Sequence, residues 1–148
     1  MTPTSGAFDG LDHLYPVRVY YEDTDFSGYV YHAAYVKFFE RGRSEALRLM
    51  GVSHSDLLAF DPPAAMVARR LEIDYLRSAV IDDALIVRSV MQSARGARLV
   101  IVQQIERGDT ILAKARLEIA LVTIGGGPRK ITPEIAEKLK PWLQSALP

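Results

Sequence analysis

Tyr21-Glu22-Asp23-Thr24-Asp25-Phe26-Ser27-Gly28-Tyr29-Val30-Tyr31-His32 runs without interruption into a segment with helical apolar spacing that lasts to Met50. Tyr35, Phe38, Phe39, Gly42, Ala46, Leu49 and Met50 form one stripe, with Lys37, Arg41, Glu45 and Arg48 on the other side. Arg41 and Glu45 are spaced to pair at i,i+4. Gly51 is a natural C-terminal stop. A stripe with three aromatic rings has to be buried, and its glycine permits a close backbone approach. The segment from about His32 to Met50 therefore reads as a central helix, which the rest of the chain must cover.

The chain on either side supplies the cover. Val17 to Glu22 alternates as a short strand, and Asp23 to Gly28 follows as a turn or loop. Residues 1–14, rich in small and polar types, read as a loose arm. Ser53 or Ser55 can cap a short helix over Asp56–Phe60, which Asp61-Pro62-Pro63 ends. Strands then follow one another: Val67 to Tyr75, Leu85 to Met91, Leu99 to Ile105 and Ile111 to Thr123. Arg95-Gly96 and the hairpin turn Arg107-Gly108-Asp109 separate the last three. In the final strand Ile111, Ala113, Ala115, Leu117, Ile119 and Leu121 face one way. Gly125-Gly126-Gly127-Pro128 ends the sheet. Thr132 then caps a terminal helix over 132–145, with Pro133 at its first position, Ile135, Leu139 and Leu143 along its apolar edge, and Pro141 to kink or end it.

Short links between consecutive strands imply antiparallel pairing. The expected fold is α+β: an antiparallel sheet of about five strands wrapped around one long central helix, in a single domain spanning 1–148. Such a sheet leaves edge strands and an apolar outer face, which invites self-association.

Composition narrows the function. The 148 residues carry 18 basic and 18 acidic side chains, so no global attraction to nucleic acid or an anionic membrane is expected. With no cysteine, disulfides, thiolate metal sites and a thiol nucleophile are excluded. Met1 to Gly10 is polar and has no apolar core of a signal peptide, and no apolar run approaches bilayer length, which makes a cytoplasmic protein the default. Three histidines without cysteine do not suggest a metal site.

Chemistry concentrates before the central helix. Glu22, Asp23 and Asp25 fall within four positions, and Asp25 stands nearest the helix start. Their position between strand and helix suggests partial burial, and mutual repulsion would raise a carboxyl pKa there. The alternative is ordinary turn chemistry. The helix start at Tyr31 to Ala33 offers N–H groups that could form an oxyanion hole or be satisfied by water, Thr24 or Ser27. His32 could transfer protons through its side chain, although packing is the commoner role for a histidine in a first turn. His13 and His54 are given no role. Arg69-Arg70, Arg95 with Arg98, and Arg129-Lys130 could each contact phosphates, although a solvated face is the commoner reading of any single pair. The triple glycine lacks phosphate-loop spacing.

The runs Val19-Tyr20-Tyr21-Glu22-Asp23-Thr24-Asp25, Gly28-Tyr29-Val30-Tyr31-His32-Ala33 and Tyr35-Val36-Lys37-Phe38-Phe39-Glu40-Arg41 resemble the hotdog-fold acyl-CoA thioesterases of the 4-hydroxybenzoyl-CoA thioesterase superfamily. The branch is the YbgC-like one associated with the Tol-Pal system. The resemblance continues through Arg70-Leu71-Glu72-Ile73-Asp74-Tyr75 and Arg95-Gly96 to the last strand. It implies the hotdog fold, hydrolysis of acyl-CoA to acid and CoA, and Asp25 as the catalytic carboxylate, acting as general base or nucleophile. It also implies that the backbone N–H of His32 polarises the thioester carbonyl. Tyr21, Phe26, Gly28 and Tyr31 are the expected substrate neighbours, with Arg95 and Gly96 as candidates for the pantetheine or phosphate contact. No cofactor is implied, since CoA belongs to the substrate. The implied partners are acyl-CoA, a further copy of the chain in a dimer or tetramer, and acyl carrier protein. The implied location is cytoplasmic, at most peripheral to the inner membrane. Two other activities on the same fold are a non-catalytic acyl-CoA or acyl-carrier adaptor linked to the envelope, and an enoyl-thioester hydratase using an Asp/His pair. Phe26 stands where the family commonly has a small residue, and Ala34 where it commonly has Asn or Ser.

Overall fold

The computed structural model describes residues 1–144. Its elements are β1 (Ala7–Asp9), β2 (Asp12–Arg18), α1 (His32–Met50), α2 (His54–Leu58), β3 (Ala64–Tyr75), β4 (Ala84–Arg95), β5 (Arg98–Arg107), β6 (Thr110–Thr123) and α3 (Pro133–Leu139). Every pairing between these strands is antiparallel, and the six lie in the order β1-β2-β4-β5-β6-β3. The sheet curls around α1, as the hotdog resemblance implies.

Helix α1 is where its spacing puts it, and Gly51 ends it in the left-handed region at φ 90°. Phe38 and Phe39 are fully buried, packed with Val19, Leu85, Val87, Ile105 and Leu112. A second cluster joins the far half of the helix (Ala46, Leu47, Met50) to Leu57, Met91, Leu117 and Leu121, with Ile135 and Leu139 of α3 closing it. Two details of the helix differ from expectation. Leu47 takes the buried place expected for Leu49, which is exposed, because the stripe drifts around the helix as it follows the curved sheet. Glu45 pairs with Arg48 at 3.1 Å rather than with Arg41.

The N-terminal arm is the largest correction. Residues 7–18 form a hairpin, with Asp9 opposite Asp12, so the sheet has six strands rather than about five. His13 is fully buried within β2, and its Nε2 meets the Ser5 carbonyl at 2.7 Å. Phe8 stacks on Trp142 with ring centroids 3.8 Å apart, so an aromatic ring from the other end of the chain holds the hairpin down. His54, expected in a loop, opens α2, whose N-cap is Ser53. Strand β2 ends at Arg18, short of the expected Glu22. There the Tyr20 N–H donates to Asp23 Oδ2 at 2.8 Å and the Asp23 N–H to the Tyr20 carbonyl at 3.0 Å, turning Tyr21–Asp23 into a 3₁₀ turn. In β6 a register shift opposite Ile105 and Glu106 buries Leu112 completely and leaves Ile111 half-buried. Thr132 caps α3 through the Ile135 N–H, and the helix stops at Leu139 before a 3₁₀ turn at Pro141. Residue 145 of the expected terminal helix lies outside the described residues.

The close approach expected at Gly42 is present. A Cβ there would lie 2.5 Å from Val87 Cγ1 and 3.0 Å from Val87 Cβ. Gly42→Ala should therefore overpack the helix–sheet contact and lower stability by about 1–3 kcal/mol despite its better helix propensity. Urea unfolding followed by circular dichroism measures it, and an unchanged or raised midpoint would show that the contact yields.

The candidate active site at the start of the central helix

Between β2 and α1 the chain makes two turns, each closed by a carboxylate. Asp23 closes the first and is thereby occupied with the backbone. In the second, the Gly28 N–H donates to the Asp25 carbonyl at 3.0 Å and the Asp25 N–H to the Tyr29 carbonyl at 3.1 Å. Gly28 sits at φ 85°, a conformation that suits a residue without Cβ. Ser27 then holds the Asp25 carboxylate twice at one oxygen. Its N–H reaches Oδ1 at 2.8 Å, and its hydroxyl donates to the same atom. Oδ2 is left free.

This geometry reverses an electrostatic expectation. Asp25 is exposed in the single chain, and the Ser27 hydroxyl, then the Ser27 N–H, hold its carboxyl below the usual carboxylate range. Desolvation pushes the other way but is outweighed by these two bonds, so the net shift is downward. Asp25 is therefore an ionised acceptor at neutral pH, with one oxygen fixed and the other presented.

Backbone bonds also pin the helix start. The Val30 N–H donates to the Ala79 carbonyl at 2.9 Å and the Tyr31 N–H to the Asp23 carbonyl at 2.9 Å. Tyr31 is the N-cap residue, and its side chain caps nothing. Thr24 and Ser27 do not cap the helix either, since their hydroxyls bond the Tyr21 carbonyl and Asp25. Of the three N–H groups expected to be free, that of Tyr31 is taken. Those of His32 and Ala33 meet no acceptor among the described residues. Two parallel donors at the positive end of a 19-residue helix can hold developing negative charge on an oxygen.

Tyr21, Asp25, Phe26 and Gly28 come together with Thr24 and Ile81 around one open depression. Phe26 projects from it fully exposed. His32 borders a second depression with Val30, Tyr35, Tyr75 and Ser78, and the Tyr31 ring meets the His32 ring at a tilt, with centroids 4.5 Å apart. Arg95 and Gly96 are not brought to this place. They form the β4–β5 turn, whereas β4 begins beside Arg18 near the site, roughly 35 Å away along a twelve-residue strand. Sequence reasoning missed Ser27 as the clamp on Asp25, although a serine two places after an aspartate is a known turn signal. It also missed Tyr75 and Ile81, for which no local signal exists. Among the described residues, no three His, Asp or Glu side chains are grouped to hold a metal ion, and no helix is long and apolar enough to cross a membrane.

A curled antiparallel sheet around one helix, with a carboxylate beside that helix's free N–H groups, defines a hotdog thioesterase. Known proteins agree: the thioesterase superfamily matches residues 27–114. The acyl-CoA thioesterase YbgC of Haemophilus influenzae is 42% identical over 111 residues, 75% of this chain and 81% of that protein. The acyl-CoA thioester hydrolase YbgC of Escherichia coli O6:H1 is 40% identical over 125 residues, 84% of this chain and 89% of that protein. The structure of a probable thioesterase from Bartonella henselae superposes with a TM-score of 0.79 at 41% identity, covering 82% of this chain and 99% of that one. The chain belongs to the thioesterase superfamily, and the YbgC acyl-CoA thioesterases are among its relatives there.

Carbon-13 NMR titration of the Asp25 carboxyl checks the Ser27 clamp. In the native protein the midpoint should lie below the ordinary aspartate value of about 3.9, and Ser27→Ala should move it upward. The ionised fraction would then fall at a higher pH. An unmoved midpoint would mean that Ser27 does not hold the carboxylate in solution.

Proposed function

We propose that this thioesterase hydrolyses acyl-CoA thioesters at the start of α1, with Asp25 as its catalytic carboxylate and the backbone N–H of His32 as an oxyanion donor. The observation that carries this reading is the pairing of an ionised carboxylate, one oxygen free, with uncapped N–H groups at a helix N-terminus. The names of the relatives supply the acyl-CoA substrate.

The thioester oxygen would accept from the His32 N–H, so that charge moving onto it in the transition state meets a fixed donor. Asp25 Oδ2 then has two possible tasks. As a general base it takes a proton from the water that attacks the carbonyl carbon. As a nucleophile it attacks that carbon itself, and water cleaves the resulting anhydride. Both routes break the C–S bond and release acid and CoA, and neither calls on a cofactor. The His32 imidazole is not needed as an acid, in keeping with its place against the Tyr31 ring.

Tyr21, Phe26 and Gly28 line the depression that holds Asp25, and with Tyr31 at the helix cap they are the proposed substrate neighbours. Strand β3 ends the sheet with one edge unpaired, and Val67, Leu71 and Tyr75 along it are exposed, which supports a homo-oligomer, dimer or tetramer. Arg95 and Gly96 can join the site only from a second copy. An acyl carrier protein presents the same thioester and belongs in the substrate panel.

Asp25→Asn should lower kcat by about 10²- to 10⁴-fold, read as thiol release from short, long and aromatic acyl-CoA esters. A folded variant with near-native rates would overturn the assignment.

A further inference from the structure

The two free N–H groups belong to peptide units whose carbonyls are occupied in different ways. The N–H of His32 shares its peptide with the Tyr31 carbonyl, which accepts from the Ala34 N–H at 2.8 Å. The N–H of Ala33 shares its peptide with the His32 carbonyl, and there the acceptor is met from outside the helix. The Tyr75 hydroxyl, 43 residues away on the last position of β3, donates to the His32 carbonyl oxygen at 2.9 Å. A hydrogen bond accepted at a peptide oxygen draws electron density from the nitrogen of the same unit and makes its N–H a stronger donor.

We propose that Tyr75 is a positioning residue that clamps and polarises the His32–Ala33 peptide, making the Ala33 N–H a second oxyanion donor beside that of His32. This inference rests on the helix start being the place where the thioester carbonyl is held.

The surroundings of Tyr75 suit the task. Its ring meets the Tyr35 ring edge-on at 5.4 Å and the His32 ring edge-on at 6.4 Å, which fixes the direction of the hydroxyl. Tyr35 is anchored in turn, since its hydroxyl accepts from the Ala79 N–H at 3.0 Å while the Ala79 carbonyl holds Val30. Burial pushes the Tyr75 phenol up, so it keeps its proton and acts as a donor throughout the neutral range. One hydroxyl from the sheet thus ties the helix's first turn to the strand beneath it. A structural tie alone would leave the strength of the Ala33 N–H irrelevant. A polarising tie makes it part of the rate.

The test uses the full chain carrying Asp25→Asn to slow turnover, loaded with a short-chain acyl-CoA labelled with carbon-13 at the thioester carbonyl. Difference infrared spectroscopy reads the carbonyl stretch of the bound ester. With Tyr75 intact, binding should shift the stretch to lower frequency, and Tyr75→Phe should reduce that shift. In the Asp25 background, Tyr75→Phe should lower kcat about three- to tenfold with KM within twofold. Site-specific 3-fluorotyrosine at position 75 keeps the packing and strengthens the donor, so it should enlarge the shift, and it serves if the Phe variant folds poorly. A shift that is present but identical in all three proteins overturns the role of Tyr75 and leaves the oxyanion site standing. No shift even with Tyr75 intact overturns the oxyanion site itself, and the inference with it.

Discussion

A helix that buries Phe38 and Phe39 against a curved sheet has little freedom in where it begins. Gly42 lies against Val87, and the residues before the first turn are bonded to Ala79 and Asp23, so translation or rotation of α1 would break contacts at its middle and its start. Among the described residues the first-turn N–H groups of His32 and Ala33 meet no acceptor, at a place the core has fixed. Side chains commonly cap such a terminus. Here the hydroxyls of Thr24 and Ser27 are engaged elsewhere, and the Tyr31 side chain at the cap position makes no bond to the first turn. Packing thus holds two N–H donors where a carbonyl oxygen can accept from them.

The carboxylate opposite is governed by local bonds rather than by burial. Ser27 fixes Oδ1 of Asp25 and favours the charged form, while Asp23 uses its own side chain to turn the chain out of β2. Two aspartates two residues apart thereby acquire different work, one structural and one free for chemistry. Holding the pKa down makes Asp25 a weaker base but keeps it ionised at neutral pH.

Much of this was legible in the chain. The spacing from Tyr35 to Met50 gave α1 its bounds and its buried aromatic rings, and alternation gave the strands from β3 to β6. The motif from Tyr21 to His32 marked out the candidate site because its chemistry is contiguous. What stayed hidden depends on contacts distant in sequence. The β1–β2 hairpin looks like a polar arm until Trp142 stacks on Phe8, and His13 looks idle until the hairpin buries it. The Tyr75 hydroxyl reaches His32 only once β3 lies beside α1. The expected burial of Asp25 failed for a local reason, since the turn closed by Ser27 and Gly28 carries the carboxylate outward.

The account stands or falls on where the thioester carbonyl binds. A crystal structure of the Asp25→Asn variant with an intact acyl-CoA would show it directly. The account expects the thioester oxygen within about 2.7–3.1 Å of the His32 and Ala33 nitrogens, and its carbon within about 3.5 Å of the residue 25 side chain. A thioester bound with its carbonyl turned away from the start of α1, and those two N–H groups left to solvent, would contradict it.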